Sequence, residues 1–178
     1  MTKTKNNFKS LLVVSTLTSI LFTSFITTGQ TTNLKDKTYL VDYVNPLMGT
    51  DSKKSMSNGN TYPAIATPWG MNFWTPMTSK MGDGWAYNYD DDKIRGIKQT
   101  HQPSPWINDY AAFSFMAVTG ELKYQEDERA SWFSHKAETV KPYHYRTYLA
   151  EYDVVAEVTP TSRAAHFKFT FPEADSSY

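Results

Sequence analysis

One short segment, residues 96–110, carries many of the side chains that could bind a sugar. Planar polar groups could bind sugar hydroxyls there, and an indole could stack on the apolar face of a pyranose. Pro103 and Pro105 fix φ and push the preceding residues toward extended conformations, which predicts a shaped loop between strands. In an alternative that the residues alone leave equally open, Trp106 belongs to the core and His101 caps a strand. The candidate binding residues of this loop are His101, Gln102, Trp106, Asn108 and Asp109.

Two other segments carry residues suited to the same task. Residues 83–85 have the sequence Asp-Gly-Trp, so Trp85 would offer a sugar platform if exposed and would belong to the core if buried. These two interpretations are equally open. Residues 58–60, Asn-Gly-Asn, favour φ > 0 and a tight turn, and their simplest interpretation is a plain loop tip leading through Thr61 into a strand.

The acidic residues do not form a pair suited to hydrolysis. Glycoside hydrolysis needs two carboxylates about 5 to 9.5 Å apart, whereas neighbouring side chains in a run of consecutive acids diverge. Such runs occupy residues 90–92 and 126–128, and both are predicted to be solvated loops rather than catalytic or calcium sites. His135 and His144 lack the spacing that would aim both at one zinc ion. The chain has no Cys and no Gly-x-Ser-x-Gly motif, so nucleophilic catalysis is unsupported.

The N-terminus has the pattern of a secretory signal peptide, predicted to span residues 1–29. Three lysines precede an apolar run over residues 11–26, which is short for a spanning helix of about 20 apolar residues. A retained signal anchor is the minority alternative. We expect no membrane span after cleavage, a secreted or periplasmic location, and a fold without disulfides because Cys is absent. Lys plus Arg equals Asp plus Glu at 18 each, which gives no electrostatic reason for a nucleic-acid partner.

Alternation of apolar and polar residues predicts the elements that position these loops. Along residues 143–149, one face of a strand carries Tyr143, Tyr145, Thr147 and Leu149, and the other face carries His144, Arg146 and Tyr148. No convincing amphipathic helix appears, so we expect an all-β protein, an antiparallel β-sandwich. The other predicted strands cover residues 39–44, 70–74, 113–118, 131–135, 154–158 and 163–171. Residues 30–38 are predicted to be a linker and 39–178 one domain, truncated at its C-terminal end.

Several motifs, taken together and in order, resemble the start of glycoside hydrolase family 92, whose members are exo-acting α-mannosidases. Gly49-Thr50, followed by a polar loop into Thr61-Tyr62-Pro63, is the most specific of them. The others lie at residues 44–48, 68–71, 83–85, 96–101, 133–135, 142–145 and 153–172, so the resemblance covers nearly all of the chain after the signal peptide.

The resemblance implies a β-sandwich packed on an (α/α)₆ barrel, hydrolysis with inversion, and a calcium ion that helps to distort the mannoside. It places the general acid, the general base and the calcium ligands largely in the C-terminal barrel, so this chain alone is expected to be inactive. Its loops are expected to contact a mannose-containing glycan. The contributing residues implied by position are Gly49, Thr50, Asn60, Thr61, Trp85, His101 and Trp106.

The chain departs from the family pattern in two loops. Residues 51–60 replace a shorter loop rich in Gly and His, and residues 102–106 replace a turn rich in Ser and Gly with a bulkier, stiffer sequence. Trp106 could therefore narrow or extend the aglycone side of the pocket. The alternative to an enzyme domain is a stand-alone carbohydrate-binding β-sandwich, and a surface structural or adhesion module is a third class.

Overall fold

The computed structural model describes residues 39–51, 61–80, 86–100 and 113–178. All of them belong to one compact unit, Thr38–Tyr178. The predicted signal peptide and linker lie outside the described residues. Within the described ranges, no helix has the length and apolar character needed to cross a bilayer.

The described residues are almost entirely β-structure. Their strands are β1 (Phe73–Met77), β2 (Lys93–Ile94), β3 (Gly96–Thr100), β4 (Ser114–Phe115), β5 (Ser131–Trp132), β6 (Thr139–Lys141), β7 (His144–Leu149), β8 (Val154–Pro160) and β9 (Ala165–Thr170). The helical elements are one α-helical turn, α1 (Glu126–Arg129), and two 3₁₀ helices, Leu40–Tyr43 and His135–Ala137. This composition confirms the predicted all-β class.

The strands form three antiparallel sheets. The largest has the order β6-β7-β8-β9, so each of its strands pairs with the next one along the chain. A three-stranded sheet has the order β1-β3-β4, and β2 pairs with β5 in a third, two-stranded sheet. Short connections between antiparallel neighbours account for the order of the largest sheet.

The alternation predicted over residues 143–149 is confirmed within β7, but Tyr143, predicted on the buried face, precedes the strand and is 45% exposed. Tyr145, Thr147 and Leu149 are buried, whereas the intervening residues are partly exposed. In β9, Phe167 and Phe169 are partly buried, and the alternating residues His166, Lys168 and Thr170 are exposed. Because successive side chains of a strand point to opposite faces of the sheet, this alternation fixes which face meets the core.

One hydrophobic core joins the largest sheet to the β1-β3-β4 sheet. Trp74 and Ile97 lie on the three-stranded side, and they belong to the same buried cluster as Tyr145 and Leu149. The Trp74 and Phe167 rings meet edge to face with centroids 4.9 Å apart. Packing between the inner faces of two sheets is the arrangement of a β-sandwich, as predicted.

The segment predicted as a strand at residues 39–44 is instead the 3₁₀ helix Leu40–Tyr43, so that prediction was wrong. It has no neighbouring strand in the described residues. Its position comes from side chains of the β6–β7 hairpin, because Lys141 Nζ donates to the Asp42 carbonyl (2.9 Å) and the Tyr143 hydroxyl donates to the Asp42 carboxylate (2.7 Å). Apolar residues in this segment indicated β-structure, but pairing partners decide whether a strand forms.

The loop predicted over residues 96–110 begins later than expected, because Gly96–Thr100 is the central strand β3. Proline restricts its own φ and the residue before it, and Pro103 lies beyond the end of this strand. The remainder of that predicted loop, residues 101–110, lies outside the described residues.

Other element boundaries also differ from prediction. The strand expected at 70–74 runs over Phe73–Met77, and those expected at 113–118 and 131–135 are only two residues each. Strands β2 and β6 were not predicted. The acidic run 126–128 forms the helical turn α1 rather than a loop, since carboxylates are favourable in a first helical turn.

Candidate functional site

The turn at residues 45–50 is shaped by its own side chains. The Asn45 side chain accepts from the Leu47 amide (3.0 Å), and the Thr50 hydroxyl donates to the Leu47 carbonyl (2.7 Å). Gly49 has φ of 82°, in the left-handed region that L side chains rarely adopt. Gly49 is therefore the residue type that lets this turn close.

The same turn is held from two sides by more distant parts of the chain. Thr61 donates from its amide to the Gly49 carbonyl (3.3 Å) and from its hydroxyl to the Met48 carbonyl (3.0 Å). The Tyr89 amide donates to the Thr50 carbonyl (3.1 Å). Thr50 is completely buried, so the bond from Tyr89 satisfies a backbone carbonyl that would be costly to leave unpaired.

Aromatic side chains join this turn to the ends of two further loops. Tyr62 and Tyr87 are buried in a small apolar cluster with Ala86, and Leu47 packs against it. The Tyr62 hydroxyl shares a hydrogen bond with the Thr100 hydroxyl (2.6 Å) at the end of β3. We call the set Gly49, Thr50, Thr61, Tyr62, Ala86, Tyr87 and Thr100 the loop-anchor cluster.

The loop-anchor cluster brings together the ends of the three loops that the sequence singled out. It contains Gly49, Thr50 and Thr61 of the predicted site residues. The remaining four, Asn60, Trp85, His101 and Trp106, lie outside the described residues. Three of these directly adjoin a cluster member in the chain: Asn60 adjoins Thr61, Trp85 adjoins Ala86, and His101 adjoins Thr100.

An ionisable network, which sequence reasoning missed, is connected to the cluster through Tyr89, whose amide donates to the Thr50 carbonyl. The Glu138 side chain is 1% exposed; one oxygen meets His135 Nδ1 (2.7 Å), and the other accepts from the Tyr145 hydroxyl (2.7 Å). His135 Nε2 lies 2.8 Å from the Tyr89 carbonyl oxygen, and the two rings stack with centroids 4.0 Å apart. The only sequence signal was the family-like segment 133–135, to which no role was assigned.

The two buried tyrosines beside this network differ in their partners. Burial, followed by the charge of Glu138, raises the pKa of both Tyr145 and Tyr87. The Tyr145 hydroxyl donates to Glu138 (2.7 Å), whereas the Tyr87 hydroxyl is buried close to Glu138 without a hydrogen bond of normal geometry in the described part of the chain. Both phenols are therefore kept in the neutral form at ordinary pH.

The other acids are engaged separately from one another. Asp91 accepts from the Thr78 hydroxyl (2.6 Å). Asp127 pairs with Lys80 (2.7 Å) and Arg95 (3.2 Å), and the hydrogen bond from Lys80 is the main cause that lowers the pKa of Asp127. Across the described ranges, no three His, Asp or Glu side chains come together in a way that could hold a metal ion.

The histidines that were predicted not to share a zinc ion also make separate contacts. His135 meets Glu138, whereas His144 Nε2 lies 3.3 Å from Glu157 on β8. His166 is an exposed residue of β9. None of these three side chains shares a carboxylate with another.

An open apolar groove of about 730 Å³ borders the loop-anchor cluster. It shares Thr61 and Tyr62 with the cluster. Trp69, at its rim, is 99% exposed and has φ of 59°, which is unusual for a bulky residue. Met48, which also lines the groove, is 77% exposed, and the neighbouring Met71 is 67% exposed.

The fold and the site define an all-β sandwich domain whose candidate binding loops start from one buried cluster. The chain matches the Glycosyl hydrolase family 92 N-terminal domain over residues 43–178. It belongs to glycosyl hydrolase family 92 and forms the N-terminal domain of that family.

Solved structures of family 92 enzymes have the same fold. The inverting mannosidase BT2199 from Bacteroides thetaiotaomicron is 54% identical to this chain, with a TM-score of 0.70, and the match covers 75% of this chain and 18% of that one. The α-mannosidase BT3965 from the same organism is 33% identical, with a TM-score of 0.69 and coverage of 79% and 20%. The chain thus spans about a fifth of the length of these relatives. A comparison with curated proteins found no significant match.

Proposed function

We propose that this chain is the N-terminal part of a secreted or periplasmic exo-α-mannosidase that inverts the anomeric centre and requires calcium. In this proposal its three loops line the substrate pocket and bind a mannose-containing glycan. The observation that carries it is the meeting of all three loop ends at the loop-anchor cluster, in a domain of family 92. Asn60, Trp85, His101 and Trp106 are the proposed glycan contacts, and Gly49, Thr50 and Thr61 support them.

The named activities of the relatives support the proposed substrate. BT2199 is described as an inverting mannosidase, and BT3965 has been solved in complex with mannoimidazole. Each of these proteins is about five times as long as the part that this chain matches. The proposal therefore assigns catalysis to the whole polypeptide rather than to this domain.

The described acids favour placing the chemistry elsewhere in the polypeptide. Asp127 and Glu138 are held by basic partners, and among the described residues no three His, Asp or Glu side chains converge on one point. In line with what the resemblance to family 92 implies, the proposal assigns the general acid, the general base and the calcium ligands to a C-terminal (α/α)₆ domain. The sandwich would contribute shape and hydrogen bonds to the substrate pocket.

The apolar groove supports a covering domain rather than a stand-alone binding module. Contiguous apolar surface with an indole as exposed as Trp69 marks an interaction site. A sugar site needs polar groups aimed at hydroxyls, whereas this groove is lined mainly by apolar side chains.

We assign the groove to the C-terminal domain as its binding surface. Trp69→Ser should therefore reduce the binding of a hydrophobic dye and the self-association of the isolated chain. In the full-length protein, Trp69→Ser should weaken domain association, measured as earlier thermal release of the helical part.

The first test is hydrolysis by the full-length protein. It should release mannose from α-mannosides, lose activity with a chelator and regain it with calcium, while residues 38–178 alone should show no turnover. Release of mannose by the isolated domain would contradict the assignment of chemistry to the other domain. Binding of a mannoside by the isolated domain, without any activity in the full-length protein, would favour the carbohydrate-binding module.

The second test concerns the loops. Trp85→Ala and His101→Ala should each lower kcat/KM by about tenfold or more, as expected for loss of about 1.4 kcal/mol or more of transition-state binding. Trp132→Ala and His166→Ala, on strands β5 and β9, are the matched controls and should leave kcat/KM unchanged. Trp106→Ala should instead change the preference among linkages, and an unchanged preference would remove Trp106 from the aglycone side.

A further inference from the structure

The imidazole of His135 faces a hydrogen-bond acceptor at both ring nitrogens. Nε2 lies 2.8 Å from the Tyr89 carbonyl oxygen, which can only accept. Nδ1 lies 2.7 Å from a Glu138 carboxyl oxygen. A neutral imidazole carries a single N–H, so it cannot donate to both.

Both contacts can exist only if the pair holds one proton more than a neutral imidazole and an ionised carboxylate. The extra proton makes either an imidazolium beside a carboxylate or an imidazole beside a carboxylic acid. The Tyr145 hydroxyl donates to the second Glu138 oxygen in both cases (2.7 Å). Burial favours retention of this proton, because Glu138 is 1% exposed and an unpaired buried charge is costly.

His135 is joined to the proposed substrate site through Tyr89. The two rings are parallel to within 6° with centroids 4.0 Å apart, and the Tyr89 amide donates to the Thr50 carbonyl (3.1 Å). The position of Tyr89 therefore sets the position of the turn that contains Gly49 and Thr50. Loss of the contact between His135 and Tyr89 would release one side of that turn.

We propose that Glu138 and His135 are a protonated positioning pair that holds the Gly49–Thr50 turn through Tyr89 and makes substrate binding sensitive to pH. The effect on substrate rests on the proposed function, whereas the effect on the turn does not. As the pH rises and the extra proton is lost, two acceptors face each other on one side of the imidazole. The turn is then held firmly at lower pH and loosely at higher pH.

The other titratable groups around the pair are Tyr87, Tyr89 and Tyr145, with Asp91 in the adjoining turn acting on Tyr87. Burial keeps Tyr87 and Tyr145 neutral, and their pKa values are raised away from the range in which an imidazole ionises. A pH-dependent change of the turn under conditions that leave both tyrosines neutral would therefore come from the pair.

Hydrogen exchange of the full-length protein tests the effect on the turn. After correction for intrinsic rates, protection of peptides covering residues 45–51 and 86–92 should fall about tenfold or more from about pH 6 to about pH 9, the size expected for one charge-assisted hydrogen bond. In His135→Asn the shorter side chain cannot reach the Tyr89 carbonyl, so these peptides should show low protection at all pH values. His166→Asn, on exposed strand β9, is the matched control and should behave as the wild type does.

Glu138→Gln tests the proton count itself. The introduced amide can donate to Nδ1 while neutral His135 donates from Nε2 to Tyr89, so all the contacts are satisfied without an extra proton. Protection in this variant should be high and independent of pH. A pH dependence equal to that of the wild type, or full protection in His135→Asn, would overturn the proposal.

A second variant keeps the proposal testable if Glu138→Gln does not fold. In His135→Gln the side-chain amide can reach the Tyr89 carbonyl in place of Nε2, and it has no titratable group. Its protection should exceed that of His135→Asn and should not change with pH; the reverse order would contradict positioning through Tyr89.

Kinetics with an α-mannoside separates this inference from the proposed function. In the wild type, the fold increase of KM with rising pH should exceed the fold decrease of kcat. In Glu138→Gln, KM should change little with pH. A wild type that does not hydrolyse mannosides would contradict the proposed function, and the exchange data would still decide the role of the pair. Hydrolysis with an identical KM profile in both proteins would contradict the pair's effect on substrate.

Discussion

The sheet β6-β7-β8-β9 and the loop-anchor cluster are held together by different interactions. In the sheet, successive strands are joined by continuous backbone ladders, and one face packs into the main core. In the loop-anchor cluster, side chains and single backbone bonds join segments distant in sequence, as where Tyr62 meets Thr100. We therefore expect the sheet to contribute most of the free energy of unfolding. The cluster should contribute less to stability and should mainly fix the positions of the loops.

The largest effect should come from the buried face of the sheet. Leu149→Ala removes a 2% exposed side chain from β7 and should lower the free energy of unfolding by about 2 to 5 kcal/mol, because it leaves a cavity. Urea unfolding of residues 38–178, followed by tryptophan fluorescence, measures this. Leu40→Ala, at an 85% exposed position, is the matched control and should change stability by less than about 0.5 kcal/mol. Equal effects of the two variants would contradict the comparison.

The second-largest effect on stability should distinguish the two buried tyrosines, Tyr145 and Tyr87. Tyr145→Phe removes the donor to the Glu138 carboxylate and should cost about 1.5 to 3 kcal/mol, the usual size for a hydrogen bond to a charged group. Tyr87→Phe removes a buried hydroxyl that makes no hydrogen bond of normal geometry among the described residues, so stability should stay the same or increase. The same urea titration measures both. A similar loss in the two variants would show that the Tyr87 hydroxyl has a stabilising contact.

A smaller effect is expected within the loop-anchor cluster. Tyr62→Phe and Thr100→Val each remove one partner of a buried hydrogen bond of 2.6 Å. A double-mutant cycle should give a coupling free energy of about 1 kcal/mol. In the full-length protein the variants should raise KM for a mannoside through misplaced loops. Coupling near zero would mean that Tyr62 and Thr100 do not hold the two loops together.

The sheet could be predicted from the sequence because its signal is local. Alternation of apolar and polar residues is visible within β7 and within β9, and adjacent strands pair with each other. By contrast, the pairing of β1 with β3 joins residues far apart in sequence, and β3 contains Lys98 and Gln99, which obscured its pattern. The segment at residues 39–44 had β-forming residues but no strand to pair with, which a local pattern cannot reveal.

The candidate site was only partly predictable for the same reason. The family resemblance singled out Gly49 and Thr61, but their mutual hydrogen bond depends on the whole fold. Glu138 follows His135 by three positions, yet nothing in that spacing showed that His135 would meet Tyr89 and that Glu138 would meet Tyr145. Side-chain networks between distant segments follow from packing, and packing is not encoded in any single stretch of sequence.

The smallest effect should come from the exposed face of the sheet. A hydrogen bond from Lys168 on β9 (3.0 Å) is the main cause that lowers the pKa of Glu157 on β8, and His144 adds a contact at 3.3 Å. A lowered carboxyl pKa stabilises the fold above the unfolded-state value of about 4.5 and loses this effect as the pH falls through the folded-state value. Lys168→Gln should therefore cost less than about 1 kcal/mol at pH 7, because Lys168 is exposed, and its cost should vanish in acid. Urea titrations between about pH 2 and about pH 7 measure the difference, with Lys136→Gln as the exposed control. A cost that persists at the acid end would mean that the Lys168 side chain stabilises the sheet by packing rather than by charge.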